Sequence, residues 1–235
     1  MNATHYGNKS EADVHAYAAF LQTVATQKFL QKKEKFPFIL TRSGTIGSGK
    51  YAAHWTGDNQ ATFESLKGSI ADIFLSQMYG YKMVGADICG FSGNTTEELC
   101  ARWYQLGSLY PFARNHNSMR NSDQEPYNLG PKVLEAARTN LKLRYSLLKH
   151  FYSLMIISGG SGLILKPLFY ELMYDRKNYE DEVAETQFLI GRQLMAAPIL
   201  EQGKTSRSVY FSTFVWYEIR TGKAYSFGTY EIEGI

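Results

Sequence analysis

Polar and charged side chains collect on a glycine-rich stretch between residues 42 and 59. Arg42, His54, Trp55 and Asp58 supply a cation, an imidazole, a flat apolar surface and a carboxylate. Four glycines interrupt this stretch and disfavour a regular helix or strand. Such diverse side chains on an irregular loop are more typical of a binding or catalytic site than of a core. We therefore expect this loop to carry chemistry.

One alternative for this loop is a phosphate-binding site. Gly44-x-x-x-x-Gly49-Lys50 follows an apolar run, as the phosphate-binding loop of an ATPase or GTPase does. Such a loop needs Ser or Thr next, to hold Mg²⁺, but the next residue is Tyr51. Residues 52–57 also lack the helical pattern that should open from the loop. Both features weigh against a nucleotide site.

Metal and serine chemistry have no support in the sequence. The histidines at positions 5, 15, 54, 116 and 150 show no metal-ligand spacing, so no metal and no cofactor are expected. No G-x-S-x-G nucleophile elbow lies between a strand and a helix. Two carboxylates, Asp58 and Asp87, remain as candidates. Taken alone, each is explained more simply as a hydrogen-bonding residue of a loop or strand end.

The elements that must position these side chains alternate between helix and strand. Helical periodicity predicts helices over about 11–33, 63–79 and 95–109. A capping box at Ser10-x-x-Asp13 begins the first helix, and a cap at Thr95-x-x-Glu98 begins the third. Short apolar runs predict strands or extended segments at 36–41, 81–87 and 110–117. The run at 36–41 is expected to be buried on both faces. In repeated βα units, functional residues collect at the C-terminal ends of parallel strands. Arg42, Asp58, Asp87 and His116 would then converge on one face.

The second part of the chain has a different texture. A long helix is predicted from Pro131 to about Ile157, with a stripe formed by Leu134, Leu141, Tyr145, Leu148 and Tyr152. Short apolar runs separated by turn residues follow, and they predict an antiparallel sheet from segments 163–172, 194–200, 208–212 and 215–219. We place a domain boundary near residue 160, which gives domains 1–160 and 161–235.

Composition excludes several classes of protein. The net charge of +3 comes from 25 basic and 22 acidic residues spread along the 235 positions, a bias too weak to indicate a nucleic-acid partner. No window reaches the ~18 uninterrupted apolar residues of a membrane span. The N-terminal residues lack the charged-then-apolar pattern of a signal peptide, so an export signal would have to lie outside this chain.

The two cysteines indicate an oxidising compartment. Cys89 and Cys100 are close in sequence, and the glycosylation signal at Asn94 lies between them. We therefore expect a glycan on Asn94.

Ordered sequence motifs carry a more specific signal. They are Arg42-Ser43, His54-Trp55-Thr56-Gly57-Asp58-Asn59, Val84-Gly85-Ala86-Asp87-Ile88-Cys89-Gly90-Phe91, Arg114-Asn115-His116-Asn117, Gln124-Glu125-Pro126 and Gln187-Phe188-Leu189-x-Gly191. On these motifs, from about His5 to Tyr217, the chain resembles the C-terminal part of the catalytic module of family 31 glycoside hydrolases. That family includes lysosomal acid α-glucosidase, maltase and sucrase-isomaltase.

The resemblance implies roles for individual residues. It makes Asp58 the general acid/base, and it assigns Arg42, Asp87 and His116 to the hydroxyls of a terminal glucose. Trp55 would line the sugar pocket.

It also implies that Phe91 lines this pocket and that Cys89 and Cys100 form a disulfide. The activity implied is that of a retaining α-glucosidase, which hydrolyses terminal α-linked glucose from oligosaccharides in the lysosome or outside the cell.

The implied fold is the C-terminal half of a (β/α)8 barrel followed by part of an antiparallel β-sandwich. A complete barrel takes about 250 residues, whereas the sheet domain is expected here from near residue 160. The family's nucleophile motif, Trp-x-Asp-Met-Asn-Glu, does not occur in the sequence. We therefore expect the chain to need the missing N-terminal half of the barrel as a partner and to be inactive alone. The alternative is a truncated, non-catalytic sugar-binding protein.

Overall fold

The computed structural model describes residues 3–157 and 162–234. Its first part alternates helices with short strands. These elements are β1 (Thr4–His5), β2 (Lys9–Ser10), α1 (Glu11–Leu30), β3 (Leu40–Thr41), β4 (Ala53–Trp55), α2 (Phe63–Met78), β5 (Val84–Gly85), β6 (Asp87–Ile88), α3 (Glu97–Gly107), β7 (Arg114–Asn115) and α4 (Pro131–Ile157). The domain boundary predicted near residue 160 lies outside the described residues.

Parallel pairing joins the strands of this first part. β3, β4 and β5 form one sheet in that order, and β6 pairs with β7 in a second. Within the described ranges these strands do not close into a barrel. Because each pair is parallel, the C-terminal ends of its strands lie at the same edge. The loops that leave β3 and β4 therefore start from one edge of the first sheet, and the loops that leave β6 and β7 start from one edge of the second.

The strand predicted over 36–41 is wrong in extent and in burial. Only Leu40–Thr41 pairs with a neighbour. Phe36 is 83% exposed and Phe38 is 61% exposed, so this run is not buried on both faces. β3 has a paired strand on one side only among the described residues, which leaves the preceding apolar residues without a covering layer. The segment 110–117 is likewise shorter than predicted, since only Arg114–Asn115 forms a strand.

The helices largely follow the sequence signals. The capping box predicted for α1 is present, with Ser10 N donating to Asp13 Oδ2 at 2.9 Å. The cap of α3 is Thr96, whose Oγ1 accepts from Leu99 N at 3.2 Å, so the cap predicted at Thr95 is wrong by one residue. The helix predicted over 63–79 is confirmed as α2, and its cap is the hydroxyl of Thr62.

The residues that α1 and α4 bury differ from the apolar stripes that the sequence periodicity predicts. On α1, Tyr17 and Leu21 are both 58% exposed, and Thr23 is the buried residue of that helix. On α4, Tyr145 and Tyr152 are mostly exposed. The buried positions of α4 are Val133, Ala137, Asn140 and Phe151. A helix buries the face that meets a neighbour, and α4 packs on α3. The buried positions of α4 therefore differ from the stripe that contains Tyr145 and Tyr152.

The core of the first part lies between α2, α3 and the strands. Leu66 and Ile73 of α2 and Trp103 of α3 are fully buried, together with Val84 and Tyr110. The hydroxyl of Tyr110 bonds to Ser69 Oγ at 2.6 Å, so its polar end has a partner inside the core. Burial on this scale is worth about 1.5 to 3 kcal/mol for each large apolar side chain. The core thus fixes the strands from which the polar loops emerge.

The second part is antiparallel, as predicted. Its elements are β8 (Leu165–Pro167), α5 (Asp181–Ala184), β9 (Phe188–Ile190), β10 (Leu194–Ala196), β11 (Ser206–Phe211), β12 (Trp216–Tyr217), β13 (Ala224–Tyr225) and β14 (Gly228–Glu233). They form three separate sheets, with the pairings β8–β9–β10, β11–β14 and β12–β13. Strands β9, β13 and β14 were not among the predicted runs. The expected β-sandwich stays a prediction.

Gly85 offers a test of the packing between β5 and the chain that leads into β7. A Cβ at this position would lie 1.9 Å from the carbonyl oxygen of Phe112. Gly85→Ala should therefore lower the midpoint of thermal unfolding, by an amount corresponding to about 1 to 3 kcal/mol of overpacking. Gly68→Ala on α2 is the matched control, because its Cβ would have no neighbour within 4 Å. That control should be neutral or stabilising, and an equal loss in both variants would contradict the packing argument.

His54 on β4 gives a prediction for pH. Its Nδ1 lies 2.9 Å from the carbonyl oxygen of Thr41, and its ring stacks on Tyr81 at 4.5 Å between centroids. Burial lowers the pKa of His54, although the Thr41 carbonyl opposes this shift. The unfolded chain, with a histidine pKa of about 6.5, therefore binds more protons here as the pH falls. Stability from His54 is present above that pH and is lost below it.

We expect His54→Gln to reduce the fall in the midpoint of thermal unfolding between about pH 7 and pH 5. Gly68→Ala, which changes no titratable group and whose Cβ meets no neighbour within 4 Å, is the control and should retain the wild-type dependence. Identical pH dependence in the wild type and His54→Gln would refute the assignment.

Candidate functional site

The predicted site residues lie where the parallel strands end. Arg42 directly follows β3, and Asp58 lies three residues beyond β4. Asp87 opens β6, and His116 directly follows β7. Arg42, Asp58 and His116 thus follow the ends of their strands, whereas Asp87 begins β6, two residues beyond β5. That the four side chains converge on one face stays a prediction.

Arg42 and Asp58 form an exposed ion pair. Arg42 Nη1 lies 3.4 Å from Asp58 Oδ2, and the two side chains are 56% and 49% exposed. Gly57 precedes Asp58 with φ of +97°, a left-handed conformation that glycine adopts without strain. An exposed pair of this kind contributes little to stability. The Asp58 carboxylate is consequently open to solvent.

Asp87 occupies the opposite kind of environment. Its side chain is fully buried, and its Oδ1 accepts from Arg114 Nε at 3.1 Å and from Arg114 Nη2 at 2.5 Å. Its Oδ2 has no hydrogen-bond partner among the described residues. Burial raises the pKa of Asp87, whereas Arg114 and His116 act against this rise and Asp58 adds to it. A buried, unpaired carboxylate oxygen is costly, and a ligand hydroxyl would satisfy it.

Arg114 links this carboxylate to the aromatic residues. Its guanidinium carbon lies 5.0 Å from the centroid of Trp55 and 5.5 Å from that of Phe112, within cation–π range. Asp87 and Arg114 are direct neighbours in the register of β6 and β7. Sequence reasoning assigned no role to Arg114. The available signal was its spacing of two from His116, which places both side chains on one face of an extended segment.

The loops after β4 and β6 are joined through Asn59. Its backbone carbonyl accepts from Phe91 N at 2.8 Å and from Ser92 N at 3.0 Å. Its side-chain Nδ2 donates to the carbonyl oxygen of Asp87 at 3.0 Å. The ring of Phe91 then meets that of His116, with 5.3 Å between centroids and a tilt of 38°. Asn59 is a second residue whose positioning role the sequence did not reveal.

The predicted disulfide is present. Cys89 and Cys100 are bonded, which ties the loop after β6 to α3. Cys89 and Gly90 both have left-handed backbones, with φ of +73° and +93°. A Cβ on Gly90 would lie 2.5 Å from Ala61 Cα, so the chain approaches itself closely at this turn. The turn aims Phe91 toward His116.

Asn94, the predicted glycosylation site, follows Gly90 of this turn by four residues. Its residue is exposed, and its Oδ1 accepts from Ser122 N at 2.8 Å. The presence of a glycan stays a prediction.

The predicted site residues do not line one enclosed cavity. Asp58 borders a cavity of about 530 Å³ that extends along α2 to Asp72, and Arg42, Asp87 and His116 are not part of its wall. The strands form open sheets, and an open sheet presents its strand ends without enclosing them. The site is an exposed edge with one buried carboxylate.

Two classes of site are absent from the described part of the chain. Residues 3–157 and 162–234 contain no group of three or more His, Cys, Asp or Glu side chains that could hold a metal ion. Within the same ranges, every helix is too short or too polar to cross a membrane.

Comparison with protein families gives two matches. Residues 1–154 match the glycosyl hydrolases family 31 TIM-barrel domain. Residues 162–233 match the glycosyl hydrolase family 31 C-terminal domain. Together they cover most of the chain.

Individual relatives agree with this result. A probable alpha-glucosidase of Oryza sativa subsp. japonica is 44% identical over 220 residues, which are 93% of this chain and 24% of the relative. The lysosomal acid alpha-glucosidase of Tetrahymena pyriformis is 41% identical, with 93% and 24% covered. Alpha-xylosidase 1 of Arabidopsis thaliana is 42% identical, again with 93% and 24% covered. This chain thus spans about a quarter of the length of these relatives.

A solved structure shows the same architecture. The glucosidase II alpha subunit in its alpha3-Glc2-bound form superposes with a TM-score of 0.91 and 33% identity, covering 99% of this chain and 26% of that one. The expected family resemblance is therefore confirmed. Sequence, domain models and architecture agree that the chain belongs to glycosyl hydrolase family 31.

Proposed function

We propose that this chain supplies the acid/base and the sugar-binding side chains of a retaining α-glucosidase-type glycoside hydrolase. The observation that carries the proposal is the contrast between the surroundings of two carboxylates, Asp58 after β4 and Asp87 in β6. Asp58 is half exposed and paired with Arg42, whereas Asp87 is buried with one oxygen unpartnered. The α-glucosidase relatives support the same reaction class.

Asp58 is the general acid/base in this proposal. A retaining glycosidase needs a carboxylic acid that protonates the leaving oxygen and later removes a proton from water. The exposed carboxylate of Asp58 can meet both the departing sugar and the incoming water. Arg42, 3.4 Å away, holds its side chain toward the site.

The hydroxyls of the terminal glucose would be held by Arg42, Asp87 and His116. Asp87 Oδ2 is the strongest candidate acceptor because it is buried and without a partner in the described residues. Charge-assisted hydrogen bonds to such a carboxylate are short and strong. Trp55 and Phe91 offer flat apolar surfaces to the carbon face of the sugar.

The nucleophile must come from outside these residues. Retaining catalysis places a second carboxylate about 5 to 5.5 Å from the acid/base, and the Trp-x-Asp-Met-Asn-Glu motif does not occur in the sequence. We propose that the other strands of a (β/α)8 barrel supply it and cover the open edge of β3. Residues 1–160 would form the C-terminal half of that barrel, and residues 161–235 the start of a β-sandwich domain.

The proposed setting of the whole protein is the lysosome or the cell exterior. The disulfide between Cys89 and Cys100 requires oxidising conditions. Asn94 is exposed within its sequon, and we propose that it carries a glycan.

A non-catalytic sugar-binding protein is the second candidate. The observation that favours it is the presence of the sugar-binding side chains without the nucleophile motif. Such a protein would bind a glucoside but would never cleave it, in any context.

The isolated chain should not hydrolyse maltose or an aryl α-glucoside. A chimera in which this chain replaces the matching quarter of the rice relative should hydrolyse both, because the relative then contributes the rest of the barrel. Turnover by the isolated chain would contradict the proposed division of the site, and a folded but inactive chimera would favour the sugar-binding alternative.

In the chimera, Asp58→Asn should lower kcat on maltose by roughly 10²- to 10⁴-fold, the usual effect of losing a general acid/base. Asp181→Asn, the same chemical change at the start of α5, should leave kcat unchanged. An active Asp58→Asn variant would remove Asp58 from the mechanism.

A further inference from the structure

Gln124 is a buried amide on the irregular segment between β7 and α4. It is 4% exposed. Its Nε2 lies within hydrogen-bond distance of four oxygens, Asn115 Oδ1 at 2.8 Å, the carbonyl of Gly90 at 3.1 Å, that of His116 at 3.2 Å and that of Ile88 at 3.3 Å. One side chain thus contacts backbone carbonyls of the segment 88–90 and of His116, which follows β7.

The orientation of this amide is fixed by its neighbours. The carbonyl oxygens of Ile88, Gly90 and His116 can only accept hydrogen bonds, so the amide NH₂ must face them. With the amide reversed, Gln124 Oε1 would meet three acceptors and no donor. The donors of Gln124 therefore point at the site loops for a chemical reason.

Asn115 completes a reciprocal pair. Its Nδ2 donates to the backbone carbonyl of Gln124 at 2.9 Å and to Tyr104 Oη at 2.9 Å. Each of the two amides thus bonds to the other residue, and Tyr104 connects them to α3. The bridge runs through the NH₂ group and the backbone carbonyl of Gln124, whereas its Oε1 has no hydrogen-bond partner among the described residues.

The bridge spans the two loops that carry proposed sugar-binding residues. The carbonyls of Ile88 and Gly90 belong to the segment that joins Asp87 to Phe91. The carbonyl of His116 belongs to the residue that follows β7. The rings that these two loops carry, Phe91 and His116, lie 5.3 Å apart between centroids.

We propose that Gln124 is a positioning residue of the sugar site, which fixes His116 against Phe91 through the paired loops. This inference rests on the sugar-binding role proposed above for those two residues. Gln124 itself does not touch the sugar. It acts by sharing its two N–H donors among these acceptors, which would otherwise lose this buried donor and draw the loops toward water.

The test uses Gln124→Met, which keeps the length of the side chain and removes its donors. The matched control is Gln187→Met. Gln187 is 1% exposed and bonds to the backbone of Tyr210 through both ends of its amide, at 2.9 Å each, so it is an equally buried bridge in the antiparallel part.

The first readout is the Hε1–Cε1 NMR signal of His116 in the full chain labelled at histidine, assigned with His116→Gln. The ring current of Phe91 displaces this signal. Gln124→Met should move it toward the value of an exposed histidine, while the signal of His150 stays in place. Gln187→Met should leave His116 unchanged. An unmoved His116 signal in Gln124→Met, or an equal shift in Gln187→Met, would overturn the proposal.

The wild-type protein provides a measurement that does not depend on a variant folding. The side-chain NH₂ signals of Gln124 should be protected from hydrogen exchange and show nuclear Overhauser contacts to Gly90 and His116. Gln124→Asn, shorter by one methylene, serves to assign them. Rapid exchange of these protons in the wild type would refute the bridge.

The second readout is binding of methyl α-glucoside to the same samples, measured by saturation-transfer NMR titration. Gln124→Met should weaken binding roughly tenfold or more, as a misplaced binding group does, and Gln187→Met should not. A shifted His116 signal with unchanged glucoside affinity would overturn the positioning role. Absence of any glucoside binding by the wild type would instead refute the proposed sugar site and leave the bridge itself standing.

Discussion

The forked contact between Arg114 and Asp87 is the interaction on which the site depends. A carboxylate with no exposed surface is tolerated only when a cation and hydrogen bonds compensate for its lost hydration. Arg114 provides both from the adjacent strand, and it uses only one of the two carboxylate oxygens. The pair therefore fixes the register of β6 and β7 while it leaves Oδ2 as a free acceptor inside the protein. The stacking of Trp55 on the same guanidinium then follows from the place of Arg114.

The two aspartates differ because their surroundings differ. Asp58 stands on a loop beyond β4, half in solvent, and only the 3.4 Å contact with Arg42 restrains it. Asp87 stands within a strand, and burial raises its pKa against the opposing effect of Arg114. A residue that must exchange protons with water gains from exposure. One that must recognise a hydroxyl gains from a dry, fixed position, where each hydrogen bond is stronger.

Local signals in the sequence were sufficient for most helices. The capping box of Ser10 and Asp13 and the length of α2 needed no tertiary information. The alternation of helix and strand was also enough to place Arg42, Asp58 and His116 beyond strand ends, whereas the convergence of these three with Asp87 on one face stays a prediction. The roles of individual residues, and the expectation that the nucleophile lies outside these residues, came from family motifs rather than from periodicity.

What the sequence could not provide depends on contacts between distant segments. The apolar run at 36–41 looks like a buried strand, but burial requires a second layer, which is lacking over Phe36 and Phe38. The α4 stripe with Tyr145 fails for a similar reason, since the face that meets α3 decides what is buried. Gln124 was visible only as part of a motif. Its importance lies in hydrogen bonds that span up to 36 positions of the chain.

These contacts divide the site into a rigid part and a less restrained part. The rigid part includes Asp87, Phe91 and His116, held by the disulfide, by Asn59 and by Gln124. Similar chains occur in enzymes named as α-glucosidases and as an α-xylosidase. Xylose differs from glucose by the missing hydroxymethyl group, and the ring hydroxyls are common to both sugars. Under the proposed function, Asp87 and His116 bind ring hydroxyls, so the same set would serve either substrate. Groups around the hydroxymethyl position would then distinguish glucose from xylose. The arrangement of Asp87, Phe91 and His116 could stay the same in enzymes of either specificity.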